Sequence, residues 1–539
     1  MSRFSRMVAT LAATAVVISP ALTAGAAHAD ASSLPSADPF YRYAGDGSPG
    51  VPPDDSQPGD VLDTRTVELP VMADLLKALA ASHGSPLQSF SISATQLLYR
   101  TQDEQGNPSE TVTTVIQPSD LGTPVASKGV VAYLSYYDGL SDTCDPSYTL
   151  QSSALDGEKA AISQLLENGY TVTVPDFEGE GLDWAAGHEA GKSTLDAIRA
   201  TETSLGLPAT TKVATVGYSG GSIAGEWAAE LQPTYAPDVH LIGTAIGGVP
   251  VNLRDLVNYV NSDADTDRDS WFGVIPAATV SLARAYGKDF SSYLSATGQE
   301  IAATVANECI GAFAANYKGM HLSDLVNPGV DFLNEPDVKP IVDGLTMGQG
   351  AKPTAPMFIM NGRSSDGIGD GVMVANDVKA LAASYCTRGV AVNYDEESGE
   401  HSAVGQTFML KAIGLVPGAG FIDKWFNGTA TSADYNCAQR VTTTPPPTST
   451  KKKITATLTG RSKGAKDVLV VTAKGATGAK VQLFAAGHKK PVGRGTIGKN
   501  GKVAIKVADH NGKRKTRYHA NVAATATTMS AVTKVLALR

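Results

Sequence analysis

Between Lys212 and Ala224 the chain reads KVATVGYSGGSIA, and no other stretch limits its fold so tightly. Val213-Ala214-Thr215-Val216 is a short apolar run with the length and branching of a buried strand. Gly217-Tyr218-Ser219-Gly220-Gly221 is a sharp turn, and Ser222 to Leu231 is rich enough in small residues to pack as a helix. A strand that enters a helix through G-x-S-x-G strains the serine backbone, and its neighbours must be tiny because a Cβ would strike the strand or the helix. The strain lifts the Ser219 hydroxyl above the sheet edge. The N–H of Gly220, first in the helix, then points to where an oxyanion would form. The plainer reading is a glycine-rich turn with an incidental serine. The strand before it and the helix after it favour a nucleophile.

The remaining elements fall in an order that suits this turn. Phe90 to Arg100 and Thr111 to Ile116 alternate like paired strands, separated by a turn at Gln105-Gly106-Asn107-Pro108. Gly129 to Leu134, Tyr170 to Asp176, His240 to Ile246, Met357 to Met360 and Val390 to Tyr394 read as buried strands. Helical stretches lie between them, among them Gly157 to Asn168 and the segment through Leu195 to Ala200. Strands alternating with helices imply a mostly parallel sheet covered on both faces, the α/β-hydrolase order. From 251 to about 353 helical stretches such as Ala277 to Tyr286 and Gly298 to Tyr317 predominate, and a helical cap over the substrate is expected there. Gly405 to Trp425 reads as the closing helix.

The two ends differ from this pattern. Arg3 and Arg6 precede the apolar run Met7 to Ala21, and Ala27-His28-Ala29 is a small-x-small cleavage site. Residues 1–29 therefore read as a secretory signal peptide, and the absence of a second long apolar run predicts export without a membrane span. Asp30 to about Asp60, rich in Pro, Gly, Ser and Asp, reads as an extended arm. Thr442 to Thr450 forms a stiff Thr/Pro linker, within 441–453, that separates a catalytic domain (30–440) from a C-terminal domain (454–539). The latter has six or seven short alternating segments, the pattern of an all-β, immunoglobulin-like sandwich.

Charge divides the chain at the same place. From Lys451 to Arg539, 20 Lys and Arg stand against two acids, Asp467 and Asp509, for a net charge of +18. The remainder holds 24 basic and 51 acidic residues, a net −27. The basic domain offers only Phe484 and Tyr518 for stacking on bases, so nucleic acid is not expected as a partner. An anionic cell-wall polymer or membrane surface fits the charge better, and a passive solubilising spacer fits it too.

A serine nucleophile needs a base to take its proton and a carboxylate to orient that base, in the chain order Ser, acid, His for this fold. Of nine histidines, His28 lies in the signal, and His83, His188 and His240 precede the strands that should carry the base. His321 lies in the cap, while His488, His510 and His519 lie in the basic domain. His401 remains, on a loop after the strand ending at Tyr394. The acid should follow the strand ending at Met360, where both Asp366 and Asp370 are available. Counting from the strand favours Asp366, and counting back from the next helix favours Asp370.

From about Pro39 to Cys437 the chain resembles the secretory lipase family. The resemblance rests on Tyr137-Asp138 with Cys144-Asp145-Pro146-Ser147-Tyr148, on Pro175-Asp176-Phe177-Glu178-Gly179, on Gly191 to Ala200, on Gly217 to Gly221, on Asp370 to Cys386 and on His401. Together these are far more specific than G-x-S-x-G alone. The family's acid opens a helix that ends in cysteine, and the Asp370 to Cys386 spacing implies Asp370 rather than Asp366. The resemblance also implies Cys144–Cys309 and Cys386–Cys437 disulfides, and an oxyanion site that Asp138 completes beside Gly220. Val374 stands where the family has proline, the loop before Asp370 is longer, and the family's C-terminal flap is replaced by the linker and basic domain.

The resemblance therefore implies a secreted, monomeric triacylglycerol lipase or carboxylesterase, acting on a lipid or small ester through Ser219, Asp370 and His401 without cofactor or metal. A serine peptidase or acyltransferase on the same fold is the enzymatic alternative, and a non-catalytic cell-wall-binding protein is the other. Asp263 to Asp269 has alternating carboxylates, but Val274 replaces the glutamate that closes a calcium loop, so a solvated acidic loop is expected. Leu207-Pro208-Ala209-Thr210-Thr211 is internal and lacks the glycine of a sorting signal.

Overall fold

The computed structural model describes residues 34–538, apart from 43–49, 84–89, 121–122, 153, 155, 262–270, 415, 417, 438–453, 464–465, 487, 489, 509–514 and 523–530. The signal segment, the Thr442 to Thr450 linker and the Asp263 to Asp269 loop lie outside the described residues. The chain forms two compact units, Met1–Thr443 and Thr444–Arg539.

The first unit is built on β1 (Val61–Val67), β2 (Phe90–Gln102), β3 (Pro108–Asp120), β4 (Thr123–Pro124), β5 (Val130–Leu134), β6 (Thr171–Pro175), β7 (Val213–Tyr218), β8 (Leu241–Gly247), β9 (Met357–Arg363) and β10 (Val392–Ser398). They make one sheet in the order β1-β2-β3-β6-β5-β7-β8-β9-β10, with β4 beside β3. Pairing is antiparallel from β1 to β6 and parallel from β6 to β10. All five residues of β5 are buried, so its run is apolar throughout instead of alternating. Val130, Ala132 and Leu134 meet Leu195 of the 187–204 helix and Ile223 of the 220–235 helix. Val131 and Tyr133 face the other way, toward Met72, Leu165 and Phe408 on three further helices. Each large apolar side chain buried in this way contributes roughly 1.5–3 kcal/mol.

Four sequence expectations are corrected. Pro35, Phe40 and Tyr41 of the supposed arm are buried, and Tyr41 Oη lies 2.7 Å from Ser147 Oγ, so described residues 34–42 belong to the fold. Apolar side chains this short a distance from the sheet are more stable packed than extended in water. The 298–317 stretch is two helices, Ala296–Val305 and Ile310–Asn316, broken where Cys309 bonds to Cys144. The closing helix is also two, His401–Ala412 and Phe421–Phe426, because Gly414 and Gly418 both take φ 90° and end the helical path. His401 therefore opens a helix and does not sit in a free loop.

The second unit is a β-sandwich. One sheet joins β11 (Ala456–Lys463), β12 (Lys466–Ala473) and β15 (Lys502–Ala508). The other joins β13 (Lys480–Ala485), β14 (Gly493–Thr496), β16 (Thr516–Val522), β17 (Ala531–Val532) and β18 (Leu536–Leu538). Leu469 and Ile505 of the first share a core with Leu483 and Ala520 of the second. Among the described residues of the chain, no helix is long and apolar enough to cross a membrane.

Candidate active site

The site gathers at the carboxyl ends of the parallel strands, where the chain leaves β5, β7, β9 and β10 for the residues of interest. Ser219 links β7 to the 220–235 helix with φ 54° and ψ −121°, a conformation that non-glycine residues avoid. The sequence permits it because a Cβ on Gly220 would land on the Asp138 carboxyl, and one on Gly221 on the Leu134 carbonyl. Ser222 Oγ accompanies the turn, donating to the Ser219 carbonyl at 2.5 Å.

His401 Nε2 lies 2.9 Å from Ser219 Oγ, and its Nδ1 lies 2.8 Å from Asp370 Oδ2. The imidazole is held from its own backbone as well. His401 N–H donates to the Asp370 carbonyl at 2.8 Å, and the Tyr218 hydroxyl donates to the His401 carbonyl at 2.6 Å. The Tyr218 ring lies 4.9 Å from the imidazole, and the Trp271 edge-on ring 5.6 Å away. Asp370 is fully buried, and its second oxygen accepts N–H groups from Val372 at 3.2 Å and Met373 at 2.8 Å. Asp366 has different partners: Ile368 N–H at 2.6 Å, Gly369 N–H at 3.2 Å and the Tyr259 hydroxyl at 2.7 Å. Of the two aspartates that the sequence leaves open, the structure brings Asp370 to the imidazole.

Asp138 follows β5 with φ 27° and lies against Gly220. Burial pushes its carboxyl up to about 8, an effect that the Trp184 indole N–H and, more weakly, the Gly220 N–H only partly offset. Glu178, also raised by burial and then by Asp138, accepts the Gly139 N–H at 3.3 Å. The Cys144–Cys309 bond and the Ile310 N–H to Asp138 carbonyl contact at 2.9 Å fasten this loop to the start of the Ile310–Asn316 helix. The second disulfide joins Cys386 to Cys437. An apolar cavity of about 80 Å³ opens beside Ser219, Gly220 and Asp138, walled by Trp184, Ile223, Leu256, Ile275, Leu282 and Phe332. Among its described lining residues only Asp138, Ser219 and Thr279 are acidic or hydroxyl-bearing. No group of three or more His, Cys, Asp or Glu converges as a metal site among the described residues.

Sequence reasoning missed Tyr259, Trp271 and the backbone clasp of His401. Tyr218 was visible inside the elbow motif, but its bond to a residue 183 positions away was not. Tyr259 and Trp271 lie about 100 or more residues before the acid loop and His401, and nothing local to them signals a contact with either.

A mostly parallel central sheet with an antiparallel edge, and a serine on a strained strand-to-helix turn, define an α/β-hydrolase. Comparison with known proteins narrows the class. The chain belongs to the secretory lipase family, whose model, described as Secretory lipase, matches residues 146–431. A secreted triacylglycerol lipase of Malassezia globosa is 32% identical over 67% of this chain and 75% of its own length. A Mycobacterium tuberculosis relative named as a probable inactive lipase is 31% identical over 68% of this chain and 77% of its own. The crystal structure of Candida antarctica lipase A in its closed state covers 74% of this chain and 88% of that one, at 26% identity and a TM-score of 0.61. The protein is a secreted hydrolase of the lipase and esterase class.

Proposed function

We propose that the protein is a serine carboxylic-ester hydrolase of the triacylglycerol lipase type, with Ser219 as nucleophile, His401 as base and Asp370 as the acid. The observation that carries this reading is the unbroken Oγ, Nε2, Nδ1, Oδ2 series at 2.9 and 2.8 Å, hung on a serine at φ 54°. Ser219 Oγ attacks the ester carbonyl carbon while His401 Nε2 takes its proton, and Asp370 keeps the proton of Nδ1 facing itself. The oxyanion forms beside Gly220 N–H. A carboxylate at Asp138 would repel it, but the raised Asp138 group is a neutral acid below its shifted range and donates a second hydrogen bond. The alcohol leaves with the proton from His401. Water then enters by the same base and releases the acid.

The apolar cavity supports an acyl ester over a peptide, because its wall offers almost nothing to pair with a peptide's amides. Hydrolysis of p-nitrophenyl esters from acetate to palmitate, with Ser219→Ala alongside, tests the reading. Loss of turnover by a factor of about 10⁶ in kcat is expected. A wild-type chain that turns over none of these esters would overturn it.

The basic unit supports a second reading, that it holds an anionic polymer. Asp467, its one described acid, is buried and receives the Tyr518 hydroxyl at 2.7 Å and Ser462 Oγ at 2.6 Å. The described surface therefore carries cations such as Lys466, Lys502 and Lys506 without acids between them. Retention of the full chain on polyphosphate beads should weaken with salt and in a Lys502→Gln/Lys506→Gln variant. Retention unchanged in both would refute it.

A further inference from the structure

The helix Leu253–Val260 belongs to the cap, and its faces do two separate things. Leu253, Leu256 and Val257 line the apolar cavity. Tyr259, 5% exposed, turns toward the loop between β9 and the 375–387 helix, which carries both Asp366 and Asp370. Its hydroxyl donates to Asp366 Oδ2 at 2.7 Å and accepts the Gly371 N–H at 3.2 Å. Gly371 is the residue next to Asp370, and Asp366 Oδ1 in turn gathers the Ile368 and Gly369 N–H groups. One phenol thus grips the loop on both sides of Asp370. Arg254, a turn earlier on the same helix, donates to Asp343 at 2.9 Å and to the Leu333 carbonyl at 2.7 Å, which ties the helix to the rest of the cap.

We propose that Tyr259 and Asp366 are positioning residues: they couple the cap helix that lines the cavity to the loop that presents Asp370 to His401. This rests on the reading of Asp370 given above. An imidazole oriented by a carboxylate tolerates little displacement, since misplacement by about 1 Å costs up to 10²-fold in rate. Asp370 has two N–H groups of its own loop on Oδ1, so its aim is only as good as the loop's. Besides the Arg363–Glu396 pair and the His401 N–H on the Asp370 carbonyl, the loop is supported from the cap through Tyr259. Filling the cavity presses on the adjoining face of the same helix, so acyl occupancy and acid position move together.

Tyr259→Phe keeps the ring and removes both hydrogen bonds. For p-nitrophenyl butyrate, kcat is expected to fall about tenfold with KM within about twofold, the split expected when orientation and not binding is lost. Asp366→Asn keeps an oxygen for Ile368 and Gly369 and should lose less. The double variant should be no slower than Tyr259→Phe alone, because both changes cut the same brace. Amide exchange at Gly371, Val372 and Met373 should quicken in Tyr259→Phe, and this readout needs no turnover. An active wild type with an equally active Tyr259→Phe, additive losses in the double variant, or unchanged exchange would overturn the brace. A wild type without Ser219-dependent turnover would instead defeat the proposed activity, leaving the exchange result to decide the brace.

Discussion

The elbow and the acid loop meet at the same imidazole, yet they are held by different means. Ser219 is fixed by backbone sterics within a few residues: the end of β7, Gly220 and Gly221 without Cβ atoms, and a helix that begins at once. The 363–374 loop is fixed by side chains from far away. Tyr259 reaches Asp366 across 107 residues, and Arg363 pairs with Glu396 at 2.9 Å across 33. The elbow is held by its own backbone and by the ends of the neighbouring strands β5 and β8, whereas the acid loop depends on side chains of the 253–260 helix and of β10. A nucleophile must be strained the same way in every turnover. An acid that only orients can be supported by a part of the molecule that also meets the substrate.

The largest test of this contrast is at the acid. Asp370→Asn preserves shape but lets the amide hold His401 in the wrong tautomer, and kcat should fall by about 10⁴. Asp366→Asn measured beside it should stay far above that. If Asp366→Asn proved the worse of the two, the acid loop would be turned inside out and Asp370 would lose its role.

This contrast also explains what could be read in advance. The elbow was legible because its requirement is local: strand, small residues and helix stand in sequence in Val213 to Leu231. His401 was reachable by elimination among nine histidines, though its place as the first residue of a helix was not. Asp366 and Asp370 are four residues apart in a glycine-rich stretch, and the residues alone could not choose. What separates them is which carboxylate faces the imidazole and which faces Tyr259, a matter of tertiary contact. The resemblance to the family supplied that choice through the spacing to Cys386. The break at Gly414 was written in the sequence beside Pro417, but apolar periodicity on both sides masked it. The burial of Phe40 and Tyr41 was hidden for the opposite reason, because Pro and Gly around them suggested an unpacked arm.

A finer test lies on the elbow side, where Asp138 leans on Gly220. On the proposed mechanism, removing the side chain in Asp138→Ala takes away one oxyanion donor, and kcat should drop about 10²–10³-fold. Asp138→Asn should behave differently, since its amide N–H₂ donates at every pH. The sign follows from the direction of the shift. Burial raises the carboxyl to about 8, so it is neutral and donating below that pH and becomes a charge facing the oxyanion above it. Wild-type kcat should therefore decline from its lower-pH plateau as pH rises through about 8. Asp138→Asn should keep most of the plateau rate and lose the alkaline decline. Identical alkaline limbs in the two chains would mean that Asp138 does not titrate against the oxyanion, and the elbow would then stabilise it through Gly220 and backbone geometry alone.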